Sequence, residues 1–168
     1  MQQLNLLLLH SNKAVDLKPH KSTRAWLHTK NTKDLKWFKK NTTDNVVVMG
    51  SKTWTDPLMP WPLPNRINVL ATSREKKFPG ADKYICGDLN SELKNLKEKY
   101  SNKTIWVIGG PNIVEQTIES IEEFYLSRIP GKYDCDGFLS LENIEALFKK
   151  TWFEKHKEVE FQIWKKAK

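Results

Sequence analysis

The sequence predicts an α/β fold with a central, mostly parallel sheet and an antiparallel C-terminal edge. Three observations carry this. Short, almost continuously apolar runs recur along the chain, as in strands covered on both faces. Amphipathic segments of helical period separate them. The last two β-like runs follow one another as a hairpin would.

Leu4 to Leu9 opens the chain as a buried strand. Ser11 to Thr32 is polar and irregular, and a loop of that length in a compact domain is usually functional. A helix begins near Asp34, with Leu35, Phe38 and Trp37 marking its apolar side. Asn45 to Gly50 is a second strand, ended by glycine, and Ser51 to Trp54 starts a short helix that the prolines Pro57, Pro60, Pro62 and Pro64 stop. Asn68 to Thr72 and Lys83 to Cys86 are the third and fourth strands. Ser91 to Tyr100 is an amphipathic helix with Leu93, Leu96 and Tyr100 on one side. Thr104 to Ile108 is a fifth strand, running into Gly109-Gly110, with Pro111 suited to the first position of the next helix. Glu123 to Ile129 is a sixth strand, Leu141 to Lys149 a short helix, and Trp152 to Lys157 with Val159 to Trp164 the terminal pair.

The 168 residues suit one domain, residues 1–168, with neither a repeat nor a low-complexity linker. With 39% hydrophobic and 29% charged residues, the composition is globular. No apolar run approaches the roughly 18 residues of a membrane span. Leu6 to Leu9 is too short for a secretory core and lacks a basic flank, so a cytoplasmic location is expected. The two cysteines and four histidines are scattered without metal-ligand spacing, so no metal is expected. The formal charge of +8 favours anionic partners, but no nucleic-acid signature accompanies it, and nucleic acid is not expected as a partner.

Four segments could carry chemistry. In Ile108-Gly109-Gly110-Pro111-Asn112 a strand runs into two glycines and a helix start, where backbone N–H groups can meet a phosphate. Gly50-Ser51-Lys52-Thr53 repeats the pattern with a lysine and hydroxyls, and Thr72-Ser73-Arg74 ends a third strand in polar groups. Each alone reads equally well as ordinary turn chemistry. Together they suggest one extended anionic ligand of dinucleotide size along the strand ends. The fourth segment is Asp34-Leu35-Lys36-Trp37-Phe38. A carboxylate there usually caps its helix, yet after a long loop it could also enter a pocket and accept paired N–H groups of a heterocycle.

In order, Asp34-Leu-Lys-Trp-Phe-Lys, Val48-Met-Gly-Ser-Lys-Thr-Trp, Leu63-Pro-Asn-Arg-Ile-Asn-Val-Leu and Trp106-Val-Ile-Gly-Gly-Pro resemble the dihydrofolate reductase family, and most of all its divergent, phage-type members. The resemblance covers about Asp34 to Asp136. It implies that family's three-layer fold, with helices on both faces of the sheet, and NADPH-dependent reduction of dihydrofolate to tetrahydrofolate. By this resemblance Asp34 holds the pterin and promotes protonation at N5, with Ser127 as a supporting hydroxyl. Leu35, Phe38 and Leu63 wall the pterin and benzoyl groups, a role that core packing would equally explain. Arg66 grips the α-carboxylate of the glutamyl tail, as a planar guanidinium suits. Gly50, Lys52, Thr53, Ile108, Gly109, Gly110, Pro111 and Asn112 border NADPH, the two glycines through a cis peptide, while Thr72, Ser73 and Arg74 fall in its 2′-phosphate region. The implied partners are dihydrofolate and antifolates, on a monomer.

The chain also departs from the pattern. Trp26 lies eight residues before Asp34 with no proline beside it, where the family has a Pro-Trp segment close to the acid. Ser51 and Asn112 stand where basic residues are common, and Cys135-Asp136-Gly137-Phe138 resembles the family's acidic segment only loosely. Two other readings stay open: a reductase of the riboflavin pathway, and a fold kept for binding or structure without turnover. The Asp34 segment and Leu-Pro-x-Arg argue against the first; the departures keep the second.

Overall fold

The computed structural model describes residues 4–11, 32–56, 61–74, 77–130 and 141–167. The elements are β1 (Leu4–Ser11), α1 (Thr32–Thr42), β2 (Val46–Gly50), α2 (Ser51–Trp54), β3 (Ile67–Ala71), β4 (Lys83–Ile85), α3 (Leu89–Lys99), β5 (Ile105–Val107), α4 (Pro111–Thr117), β6 (Glu123–Ile129), α5 (Leu141–Leu147), β7 (Phe148–Lys155) and β8 (Glu160–Lys166). The strands form one eight-stranded sheet in the order β4-β3-β2-β5-β1-β6-β8-β7. β1 pairs in parallel with both β5 and β6, and β2 with β3 and β5. Only the C-terminal edge reverses, where β8 runs antiparallel to β6 and β7 to β8.

Strand alternation sorts the apolar residues into two layers. Val46, Val48, Val69, Ile105, Val107, Phe124 and Leu126 face one side, packed with Leu93 and Leu96 of α3 and Val114 of α4. Val47, Met49, Leu70, Trp106 and Ile108 face the other, together with Trp54, Leu63 and Phe78, and with Trp37 and Phe38 of α1. Helices therefore cover both faces, which gives the expected three layers. The same alternation puts Tyr125 and Ser127 of β6 on the α1 side, as the edge contact of Tyr125 with Trp106 shows, 4.9 Å between ring centroids.

Several sequence expectations need correction. β1 runs on to Ser11 rather than stopping at Leu9. α3 starts at Leu89, not Ser91, because the Asp88 side chain accepts from the Ser91 backbone N–H and caps the first turn. The helix expected over 141–149 ends at Leu147, and β7 begins at once with Phe148, well before Trp152. The missed signal is Phe148, whose buried ring meets Phe124 at 6.0 Å, while the lysines after it hide a strand pattern. On α1, Leu35 does not belong to the packed side: it is 42% exposed, and Trp37 is the residue that turns inward. The expected 11–32 loop, with Trp26, and the Cys135-Asp136-Gly137-Phe138 segment lie largely or wholly outside the described residues.

Candidate active site

A β1–α1–β2 crossover between parallel strands makes α1 run antiparallel to them across the sheet face. Its first turn thereby reaches β6. Asp34 is only 6% exposed and Ser127 1% exposed, and the serine hydroxyl donates a hydrogen bond to the Asp34 carboxylate. Burial pushes the Asp34 carboxyl up to about 6, and the Ser127 bond pulls it part of the way back. A carboxyl so placed exchanges protons near neutral pH, which a solvated aspartate does not.

The other end of α1 meets the segment that enters β3. Phe38 and Thr42 lie one helical turn apart on the same side. The Arg66 guanidinium sits 5.8 Å over the Phe38 ring, its Nε donates to Thr42 Oγ1 at 2.8 Å, and Nη1 donates to the Pro64 carbonyl at 2.7 Å. Partial burial lowers the Arg66 pKa, and Asp44 opposes that shift. Leu63 is buried three residues before Arg66 and packs into the same layer as Phe38. Leu35, exposed, continues the Phe38–Thr42 stripe toward Asp34.

Sequence reading missed the residue that holds this segment in shape. Asn68 is buried, accepts from Leu63 N at 2.9 Å, and donates to the carbonyls of Leu63 at 3.0 Å and Arg66 at 3.1 Å. Its backbone N–H donates to Asp82 Oδ2 at 2.7 Å. The available signal was an amide at the head of an otherwise apolar strand, a type depleted from strands unless its polar groups find partners.

The strand ends make the second half of the site. Gly50 and Gly109 meet where β2 and β5 terminate, with Gly50 N donating to Gly109 O at 2.9 Å, and Gly109-Gly110 is a cis peptide. A Cβ on Gly50 would stand 3.0 Å from Ile113 Cγ1, and one on Gly110 3.6 Å from Thr53 Oγ1, so side chains here would fill the space between α2 and α4. Gly110 is the N-cap of α4 without a side-chain bond, and Pro111 occupies the first turn. Ile108 is buried beside this turn, and Lys52 is exposed on α2.

Thr72, Ser73 and Arg74 follow β3, the neighbour of β2, at the same sheet edge. Arg74 is exposed and lies 5.8 Å over Phe78, and Lys77 Nζ lies 5.9 Å from the same ring. Asn112 is instead engaged along its own helix, its Oδ1 accepting from Gln116 Nε2 at 3.0 Å. The fold thus gathers Asp34, Ser127, Phe38, Leu63 and Arg66 around α1, and the glycines with Thr53 and Pro111 at the strand ends. Thr72, Ser73 and Arg74 lie one strand further out. No helix among the described residues is long and apolar enough to cross a membrane, and no metal-holding cluster is found among them.

Residues 23–165 match the family model described as Dihydrofolate reductase. The dihydrofolate reductase of Drosophila melanogaster is 34% identical over 116 residues, which is 62% of this chain and 64% of that protein. The bifunctional dihydrofolate reductase-thymidylate synthase of Zea mays is 34% identical over 122 residues, 63% of this chain but 23% of the longer protein. A viral dihydrofolate reductase of Saimiriine herpesvirus 2 is 27% identical over 154 residues, 79% of this chain and 72% of that one. The match thus spans less than two thirds of the fly and maize proteins. Among solved structures, the dihydrofolate reductase from Enterococcus faecalis, complexed with NADP(H) and RAB-propyl, superposes with a TM-score of 0.74 at 20% identity, covering 99% of this chain and 97% of the other. With the family match running from residue 23, before α1, into β8, this chain belongs to the dihydrofolate reductase family.

Proposed function

We propose that this protein reduces dihydrofolate to tetrahydrofolate with NADPH. The observation that carries the reading is Asp34, a buried carboxyl tuned to about 6 on the site-facing turn of α1. Its carboxylate accepts two parallel N–H bonds from the pterin edge, the geometry in which a carboxylate binds most specifically. Because its proton is held near neutral pH, Asp34 also favours the protonated form of the bound ring at N5. Ser127 orients the carboxyl and keeps one of its oxygens occupied. Leu35, Phe38 and Leu63 flank the ring and the benzoyl group, and Arg66 meets the α-carboxylate at the exposed end.

NADPH fits the residues at the strand ends. Gly50 lets β2 approach Ile113 of α4 closely, Gly110 leaves room beside Thr53 that a Cβ would fill, and the α4 N-cap carries no side-chain bond that would compete with a ligand. When bound, this cofactor supplies a hydride to pterin C6. Gly50, Ile108, Gly109, Gly110, Pro111 and Asn112 border its nicotinamide half, and Lys52 and Thr53 its pyrophosphate. Thr72, Ser73 and Arg74 take the 2′-phosphate, where Arg74 already rests on the Phe78 ring. We take residues 1–168 as a single domain, a reading that the one sheet joining β1 to β8 supports, and assign it to the cytoplasm as a monomer.

The test is the loss of NADPH absorbance when purified protein meets dihydrofolate, run beside NADH and beside Asp34→Asn. Rapid NADPH oxidation that the substitution abolishes is the expected result. No oxidation by folded protein that still binds NADPH would overturn the reading in favour of a binding role.

A further inference from the structure

Asp34 and Ser127 come from elements far apart in sequence, so something must hold α1 at the right height above β6. Trp37 follows Asp34 by three residues and therefore shares its side of the helix. Tyr125 precedes Ser127 by two and therefore shares its side of the strand. The indole of Trp37 lies on Tyr125, 5.6 Å between centroids at 35°, and on Phe161 of β8, 4.6 Å at 31°. The two contacts are successive rungs between antiparallel elements: about 4.5 Å of helix rise from Asp34 to Trp37 is set against about 6.6 Å of strand from Ser127 back to Tyr125.

The base under this rung is itself held. Tyr125 Oη donates to Glu123 Oε2 at 3.0 Å, and the buried Glu123 pairs with Lys165 Nζ at 3.0 Å. The Tyr125 ring also abuts Trp106 edge-on. On the outer side, Phe161 is held in turn by His156, 5.7 Å away at 71°. The indole is thus clamped between a tyrosine and a phenylalanine from adjacent strands. Other side chains of α1 are anchored as well: Phe38 packs in the layer of Leu63 and lies under Arg66, Thr42 accepts from Arg66, and Lys33 Nζ lies 3.5 Å from His156 Nδ1. Trp37 is the one whose ring contacts reach both β6 and β8.

We propose that Trp37 is a positioning residue for the reaction: wedged between Tyr125 and Phe161, it sets the spacing of α1 from β6 at which the Ser127 hydroxyl reaches the Asp34 carboxylate. Its relevance to turnover rests on the function proposed above, but the spacing itself does not. A shorter aliphatic side chain lets the helix settle or tilt, and a displacement of the order of 1 Å near reacting groups can cost on the order of 100-fold in rate.

A double-mutant cycle read on the Asp34 carboxyl resonance by carbon NMR tests this without reference to activity. In the parent protein, Ser127→Ala removes a bond that stabilises the carboxylate, so the Asp34 midpoint rises. In Trp37→Leu the bond is already lost, so adding Ser127→Ala moves the midpoint little. Trp37→Phe, which keeps a ring in the clamp, restores most of the Ser127→Ala response. An undiminished Ser127→Ala shift in folded Trp37→Leu overturns the wedge. Should Trp37→Leu fail to fold, Phe161→Leu loosens the same clamp from the other side, and the same cycle decides. In kinetics, the wedge predicts a fall of about 10-fold or more in kcat for Trp37→Leu with NADPH affinity kept. A parent protein without reductase activity would sink the proposed function and leave the NMR cycle still decisive for the wedge.

Discussion

Ser127 on β6 donates a hydrogen bond to Asp34 on α1, and both residues are almost wholly buried. The sheet and the helix layer meet there in a polar contact where an apolar one would be more stable. Desolvation wins over the hydrogen bond, since the carboxyl rises from 3.8 to about 6 in spite of it. That outcome has a consequence for stability. Between the two values the folded chain binds more protons than the unfolded one, so stability falls as pH rises from about 4 to about 6 and stays lowered above it. Asp34→Asn removes the penalty. We expect the variant to be more stable at neutral pH by up to about 3 kcal/mol, with most of the gain gone near pH 4. Reduction should fall by orders of magnitude in the same variant. Thermal melts of both proteins across pH check the first claim. A gain over the parent no larger at neutral pH than at pH 4 refutes it.

Arg66 is anchored in advance of any ligand. Thr42 and the Pro64 carbonyl hold two of its nitrogens, and Phe38 lies beneath the guanidinium. Its remaining donors are free to pair with a carboxylate, and the burial that lowers its pKa strengthens such a pair. Arg66→Leu should weaken dihydrofolate and methotrexate-like ligands by roughly 10- to 100-fold, the scale of a charged hydrogen bond of about 1.5–3 kcal/mol. NADPH affinity should hardly change. Calorimetric titration of the two ligands separates the cases, because equal losses would mean a folding defect.

Tyr125 titrates late because it is buried and because the Glu123 carboxylate faces its hydroxyl. Together these push it up to about 12. The tyrosine is held neutral in the fold, so its contribution persists up to the ordinary phenol value near 10 and is lost as pH climbs toward 12. Glu123→Gln removes the charge and leaves the burial, so the midpoint should fall part of the way toward 10. Ultraviolet titration of the phenolate follows this directly. An unmoved midpoint would show that burial alone sets it.

Much of this was legible beforehand, for identifiable reasons. β2, β3 and β5 are buried on both faces, so their apolar runs announce them, and the glycines after β2 and β5 mark the turns at the cofactor end. Asp34 stood out because it follows a long polar stretch and precedes an apolar helix face, whereas Arg66 was picked out through the family resemblance of its Leu-Pro-x-Arg segment. What stayed hidden depends on tertiary partners. Leu35 and Trp37 both fit a helical stripe, and only the positions of Tyr125 and Phe161 decide that Trp37 is the one that packs inward. The first half of β7 escaped because an edge strand carries lysines on both sides of its aromatics. Asn68 escaped because hydrogen-bond partners five and fourteen residues away leave no periodic trace.

Asn68 is where that blind spot matters most. Its amide closes a ring of bonds with Leu63 N, Leu63 O and Arg66 O, so the turn that carries Leu63 and Arg66 is built around one side chain. Asn68→Ala strands the buried Leu63 N–H and carbonyl, and each unsatisfied group costs about 1–3 kcal/mol. The unfolding free energy from chemical denaturation should drop accordingly, by roughly 2–6 kcal/mol in all. Because Arg66 loses its backbone support, dihydrofolate affinity should fall further than NADPH affinity, which is the reverse of a general loss of fold. Asn68→Asp should lose at least as much, since its carboxylate can accept from Leu63 N but faces the two carbonyls and the Asp82 carboxylate to which the amide donates. Parent-like stability and dihydrofolate binding in that variant would show that the bonds Asn68 donates do not hold the turn.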